Sequence, residues 1–359
     1  MKTDVSIIIP IYNAMPYLEE CLESISCQVG VDMEVLLINN GSTDESLSVC
    51  NSFADRFSFM HVYNIKSTSI GSARNYGLKH AKGEYVMFVD ADDFLPDVLT
   101  VAGLLKKTRS KNCDICVGNF SRLWGSRLLH ATSHRTFSHY PMDSVEFIFT
   151  GFFSVDILSY VWAKIYKKSF IDENGLNFSD SRYAEDKLFN LQCCVAGAEY
   201  AFLNREVYVH RNTPESVSNR YRAHSHTIWL EIARKLDDFI KLRDKDTVIW
   251  KNVVAYTIFF GCFFDCKMEY RHNDNEVTRL VHLIKEYRRD PLAKRCFKLL
   301  SKHSNIELIP SMFYRIMITG FAFCMRFRLY RALALGMKVL VDLKIDESLS
   351  DTGKKPQKE

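Results

Sequence analysis

An α/β fold, with a mostly parallel sheet flanked by helices and a helical C-terminal domain, is predicted by three observations. Short β-branched or aromatic runs alternate with helical patterns through the first 120 residues, the pattern loosens between 120 and 215, and beyond Ser218 it turns helical. Strand and helix in succession imply a parallel sheet buried on both faces. Ligands of such sheets sit at the carboxyl ends of the strands. At 359 residues, with 47% hydrophobic and 13% aromatic content, the chain has material for about two domains.

The strands read as VSIIIP (5–10), MEVLLIN (33–39), FSFMHVY (57–63), EYVMFVD (84–90) and CDICVGN (113–119). After the first, Tyr17, Leu18, Cys21, Leu22 and Ile25 share a helical face, and Ser42, Thr43 and Asp44 supply N-cap candidates for the second helix. Gly71 and Ser72 open a third in SIGSARNYG (69–77), where free N–H groups favour an anion and Arg74 adds a charge one turn in. Pro96 suits the first turn of a fourth, with Leu95, Val98, Leu99, Val101, Ala102 and Leu105 on its apolar face. Helices are then predicted near Asp143, over YVWAKIYKKSFI (160–171) and from Glu185, followed by strands EYAFLN and EVYVHR. Long helical patterns cover 222–243, 246–268, 274–288 and 308–341. The expected division is a domain over 1–219, a helical domain over 220–346, and a charged, disordered tail over 347–359.

Composition narrows the classes. A formal net charge of +4 is only mildly basic, and without a clustered patch it gives no reason to expect nucleic acid. The apolar run before Pro10 is too short for a signal peptide or a membrane span, so a cytoplasmic chain is expected. Eleven scattered cysteines point to reduced thiols, and Cys113 and Cys116, a lone C-x-x-C, read as core residues.

The run YVMFVDADDF (85–94) carries a buried strand directly into Asp90, Asp92 and Asp93. At the sheet's carboxyl edge, a cation or a polyhydroxyl ligand makes that charge density tolerable. The plainer reading is an acidic turn, with Asp93 in particular only capping the next helix. Tyr12, just past the first strand, is placed to lie along a base or to be a core aromatic. Arg74 reads as a diphosphate contact or as a surface charge.

Four segments, VSIIIPIYNAMPYLEECLESI, EVLLINNGSTDES, GSARNYGLKHAKGEYVMFVDADD and YAEDKLF, resemble in order and spacing the family 2 glycosyltransferases of bacterial polysaccharide biosynthesis, over about the first 215 residues. The resemblance implies the GT-A fold and inverting transfer of a sugar from a nucleoside diphosphate, usually UDP, to an acceptor hydroxyl. By it, Pro10, Tyr12 and Asn13 match the nucleotide-pocket motif of the first strand. Asn39 and Asn40 stand where the family commonly has a base-recognising aspartate, a departure because an amide donates as well as accepts. Arg74 matches the arginine near the diphosphate, Asp90 with Ala91 the start of the D-x-D motif near the ribose, and Asp92 its metal ligand for Mn²⁺ or Mg²⁺. Asp186 is the candidate general base, with Glu185 as substitute or acceptor contact; the plain alternative is two acids favouring a helix start.

In the same comparison Trp162 is a candidate platform for a sugar ring, and Lys164 a contact to acceptor or phosphates. A helix with Trp162 and Ile165 buried and Lys164, Lys167 and Lys168 solvated explains the segment as well. YVHRNTPESVS (208–218) resembles the segment closing these domains, with His210 or Arg211 toward the diphosphate. The partners implied are a nucleotide-sugar donor, by family habit a UDP-sugar, and a saccharide or lipid-linked acceptor. A sugar nucleotidyltransferase should instead show a glycine-rich basic loop where this chain has PIYNAMPYL. A non-catalytic sugar-nucleotide-binding module stays open because of Asn39 and Asn40.

Residues 309–341 contain Arg315, Arg326, Arg328, Arg331 and Lys338 and no acid, and their longest uncharged run, 316–325, is ten residues, about half a bilayer crossing. Peripheral contact with an anionic membrane surface, or a packed domain helix, is expected there. VVAYTIFFGCFFDC (253–266) reads as a buried helix.

Overall fold

Val5–Ile11 (β1) is buried at every position. It pairs in parallel with Met33–Asn39 (β2), which pairs in parallel with Met60–Asn64 (β3), and on its other edge with Tyr85–Phe88 (β4). Strands covered on both faces carry near-continuous apolar runs rather than alternation, which is why β1, β2 and β4 were legible. The structure is a computed structural model that describes residues 3–67, 69–130, 133–181, 183–213, 221–272 and 276–344.

Leu18–Ser26 (α1) buries Leu18, Cys21, Leu22 and Ile25, the predicted face. Ser46–Arg56 (α2) has no side-chain cap; Asp44 instead accepts from the N–H groups of Ser46 and Met15, each at 3.1 Å. Ile70–His80 (α3) follows β3. The next helix, Thr100–Lys111 (α4), begins later than Pro96 suggested, because Asp97 accepts from the Leu99 N–H at 2.7 Å and holds a turn ahead of it. Val98 and Leu99 are therefore exposed, and the buried face is Val101, Leu104, Leu105 and Thr108.

The rest of the sheet is mixed. Ile115–Trp124 (β5) forms a hairpin with Arg127–His130 (β6). The segment expected as one helix over 160–171 is instead a strand, Lys164–Lys167 (β7), followed by a short helix, Lys168–Glu173 (α6). β7 inserts antiparallel between β4 and β5, opposing Tyr166 to Val86 and Ile115, and Ile165 to Met87 and Cys116. β-Branched and aromatic side chains pair well on a pleated surface, and Ala163 at φ +55° cannot continue a helix. Glu185–Ala196 (α7) opens where predicted, and the two expected strands after it form one long strand, Tyr200–Arg211 (β8). β8 runs parallel to β5 with register shifts on either side of Asn119. The sheet order is β3-β2-β1-β4-β7-β5-β6, with β8 on β5. The cysteines are all free, and Cys113 and Cys116 are core residues as expected.

Among the described residues two compact units separate: 3–138 with Ile157–Thr213, and His139–Asp156 with 221–344. In the second, Val145–Phe149 (α5) and a π-helical turn over Thr150–Ser154 pack on Val248–His272, with Phe149 edge-on to Tyr256 at 5.2 Å and Phe153 stacked on Phe260 at 5.4 Å. The unit also contains Ser225–Leu242 (α8), the long Val248–His272 (α9), Val277–Arg289 (α10), Pro291–Leu300 (α11), Met312–Arg326 (α12) and Tyr330–Asp342 (α13). α9 is long and apolar enough to cross a membrane, yet 67% of its apolar window is buried, as the buried-helix reading expected. α11 was not predicted; its signal was Asp290, which accepts from the N–H groups of Leu292 and Ala293, ahead of Pro291. The single pattern over 308–341 is two helices, separated where Arg328 takes φ +62°. The expected domain boundary near 220, the end of YVHRNTPESVS and the tail after 346 lie outside the described residues.

Candidate active site

Asp90, Asp92 and Asp93 follow β4 at the carboxyl edge of the sheet, and their mutual repulsion is answered at two of the three. The Asp90 carboxylate pairs with the Arg74 guanidinium at 2.8 Å. Asp93 is buried; it accepts from the Arg211 N–H at 2.7 Å and stands 3.2 Å from His210 Nδ1. It is thus no mere helix cap, but the clasp between this turn and the end of β8. Asp92 forms no ion pair among the described residues, and burial, together with the charges of Asp93 and Asp90, pushes its carboxyl up to about 7.

The end of β8 is absorbed by the same clasp. Burial works against protonation of His210, and Asp93 reverses this, so the imidazole's pKa is raised. Arg211 donates through Nε to the Asp92 carbonyl at 3.0 Å, pairs with Glu20, and lies over the rings of Tyr17 and Phe94. Both residues brace the acidic turn. Tyr208, missed from sequence, accepts from the Asp90 N–H at 3.0 Å. Its signal was the alternation that puts Tyr208 and His210 on one strand face.

Arg74 is not a surface charge. It is 3% exposed and bridges Asp90 to Glu185, 2.7 Å from its other amino group, tying β4 to the start of α7. Its Nε is buried without a hydrogen-bond partner among the described residues. The expected anion site at the start of α3 is covered. Ser69 caps the helix, accepting from the Ser72 N–H, and the Asp180 carboxylate accepts from the Ser72 hydroxyl at 2.6 Å. Asn75 bonds the backbone N–H and carbonyl of Phe178, both at 2.8 Å. A Cβ at Gly71 would fall on the Ser179 carbonyl oxygen, backbone that cannot swing aside. Gly71→Ala is therefore expected to cost about 1–3 kcal/mol, as overpacking does, read as a lowered urea midpoint.

Asp186 is partly buried beside Glu185, and its carboxylate accepts from the Lys187 N–H at 2.7 Å. Burial first, and then the Glu185 charge, push its carboxyl up to about 7 against the opposing pull of Arg74. At the ends of β1 and β2, Pro10 is buried and Tyr12 is 65% exposed, which excludes the core-aromatic reading. Asn13, at φ +48°, accepts from the Thr43 N–H at 2.8 Å. Asn39 donates to Asn64 at 2.9 Å, and Asn40 accepts from the Ser67 N–H at 2.7 Å. These carboxamides hold together the loops that follow β1, β2 and β3. Ala91 is buried in the acidic turn.

Two candidates are corrected. Trp162 is 4% exposed and stacked on Tyr160 at 4.4 Å and on Tyr208 at 4.8 Å, so it presents no open platform to a sugar. Lys164 is fully buried, and its ammonium donates to the carbonyls of Ile157 at 2.7 Å, of Tyr160 and of Trp162. It gathers a turn of backbone, and neither faces a ligand nor is solvated. Among the described residues no three His, Cys, Asp or Glu side chains converge to hold a metal by themselves.

Residues 6–158 match the family model described as Glycosyl transferase family 2. The chain is 29% identical over 219 residues to an uncharacterized glycosyltransferase, EpsJ, of Bacillus subtilis, covering 60% of this chain and 62% of that one. It is 28% identical over 194 residues to a poly(ribitol-phosphate) beta-glucosyltransferase of Bacillus spizizenii, covering 52% of this chain and 29% of that one. It thus spans less than two thirds of the length of either relative. Among solved structures, S. aureus TarS 1-349 superposes with a TM-score of 0.68 at 19% identity, covering 94% of this chain and 91% of that one.

Proposed function

Because the chain belongs to glycosyltransferase family 2 through residues 6–158 and has the GT-A fold, we propose that it is an inverting glycosyltransferase. Its donor is a nucleoside-diphosphate sugar, with UDP as carrier, and its acceptor a hydroxyl of a surface polysaccharide or glycolipid precursor. One observation carries the reading: of the acids gathered here, Asp90, Asp93 and Glu185 are each tied to a basic residue, while Asp92 and Asp186 form no ion pair among the described residues. The name of one relative, a poly(ribitol-phosphate) beta-glucosyltransferase, favours a polymer acceptor. TarS, which shares the fold, has been solved with UDP-GlcNAc, so UDP-sugars come first for assay.

In this reading Asp186 takes the proton of the acceptor hydroxyl as its oxygen attacks the anomeric carbon, and the bond to the diphosphate breaks on the opposite face. A single displacement of this kind inverts the centre. A carboxyl held near 7 is well matched to a base working near neutrality. Tyr12 lies against the base, Asn13, Asn39 and Asn40 shape its loop, and Asp90 meets the ribose. Arg74 acts by fixing Asp90 and Glu185 rather than as a free diphosphate contact.

The hard carboxylate oxygens of Asp92 suit Mn²⁺ or Mg²⁺, with phosphate oxygens of the donor completing a set the protein does not complete itself. When bound, the ion neutralises charge on the departing diphosphate. Asp92→Ala is expected to weaken Mn²⁺-dependent UDP binding at least ~100-fold in titration calorimetry; unchanged Mn²⁺ dependence would remove Asp92 from the metal site. A UDP-sugar panel with Mn²⁺ tests the whole reading through release of free UDP. Pyrophosphate release from sugar phosphate and UTP identifies a nucleotidyltransferase instead, and binding without turnover a non-catalytic module.

A further inference from the structure

Ten of the eighteen large hydrophobic side chains exposed among the described residues lie between Leu308 and Leu343. On α12, Met312, Ile316 and Phe323, with Phe327 just past its end, recur at intervals of four and seven, and on α13 Leu335 and Val339 are four apart, so each helix has an apolar outer face. Ile316 is 66% exposed and Phe323 48%. The opposite faces are already packed inside, through residues such as Ile318, Phe321 and Met337. A helix apolar on both sides needs a cover on both.

The surrounding charge says what the cover is. No Asp or Glu occurs from Ile309 to Val341. Arg326, Arg328 and Arg331 are exposed where the two helices meet, and Arg328 and Arg331 make no ion pair among the described residues. The first acid after this stretch in sequence, Asp342, is held by Lys338 at 2.6 Å. A second copy meeting this face across a two-fold axis sets arginine against arginine, with no acid on α12 and none on α13 before Asp342 to answer them. The helices are fifteen and thirteen residues long, about 22 Å at most, too short to span a bilayer.

We propose that α12 and α13 dock the chain on an anionic phospholipid surface, their apolar faces entering the headgroup boundary and Arg326, Arg328 and Arg331 meeting lipid phosphates. The test is flotation of the full chain with vesicles of phosphatidylcholine alone or mixed with phosphatidylglycerol. The wild type is expected to float with the mixed vesicles and not with the pure ones. The triple variant Ile316→Ser, Phe323→Ser and Val339→Ser should bind the mixed vesicles ~10-fold less or weaker still, and Arg328→Glu with Arg331→Glu should abolish the preference for phosphatidylglycerol. All substituted positions but these arginines are surface apolar groups, so melting temperatures should hold. Equal flotation of wild type and variants, equal flotation with both vesicle types, or a dimer in light scattering that ignores vesicles overturns the proposal. The readout is lipid binding rather than UDP release, so its failure and that of the sugar-transfer reading are told apart.

Discussion

Asp186→Asn is expected to lower sugar transfer by about 10²–10⁴-fold, the usual worth of a positioned general base, while UDP affinity stays within about twofold. The amide keeps the oxygen that accepts from Lys187 and loses only the proton-accepting charge. The pH profile makes the assignment specific. With its carboxyl held up to about 7, the wild type should lose kcat/KM as pH falls through that value, because only the deprotonated form is a base. Asp186→Asn should leave a residual rate without that inflection. Glu185→Gln removes a charge that raises the Asp186 pKa, so its inflection should move to lower pH. Folding has the opposite sign. A carboxyl raised in the folded state contributes stability that is full below its unfolded value of 3.8 and lost as pH rises through about 7. Asp186→Asn should therefore melt no lower than the wild type at pH 8, which separates lost chemistry from lost structure. Normal transfer by this variant would exclude Asp186 as the base.

What could be read from sequence is what local physics decides. VSIIIP and MEVLLIN announce themselves because a strand covered on both faces has no polar alternation to confuse, and three acids at a strand end stand out because they repel. The segment 160–171 misled because Trp162, Ile165 and lysines at 164, 167 and 168 imitate a helical face. The pairing that makes it a strand lies with Val86, Met87 and Cys116, distant in sequence. Lys164 reads as solvated until three carbonyls close around it. The break at Arg328 carries no Gly or Pro to mark it. In the site, Asp92 and Asp186 were legible as acids at element ends. The Arg74 bridge to Glu185 was not, since 111 residues separate the partners and no local pattern links them.

That bridge carries the largest expected effect on stability. Arg74→Met should cost about 3–5 kcal/mol, the loss seen when one member of a buried pair is removed and the other charge stays behind. Burial works against the Arg74 charge, but Asp90 and Glu185 more than reverse this. Asp90 keeps 25% of its side chain in water whereas Glu185 keeps 9%, so most of the penalty should fall on Glu185. Arg74→Met with Glu185→Gln should then recover much of the loss in urea denaturation, a coupling that a double-mutant cycle isolates. Arg74→Lys should recover little, because one ammonium cannot reach both carboxylates as the planar fork does. The same substitution has a chemical signature. Arg74 opposes the rise in the Asp186 pKa, so variants that fold without it should need a higher pH to transfer sugar. A variant that is destabilised yet keeps the wild-type pH profile would make Arg74 a structural brace alone. One that keeps full stability would mean the two carboxylates find other partners, and the bridge would not be what holds the end of β4 to α7.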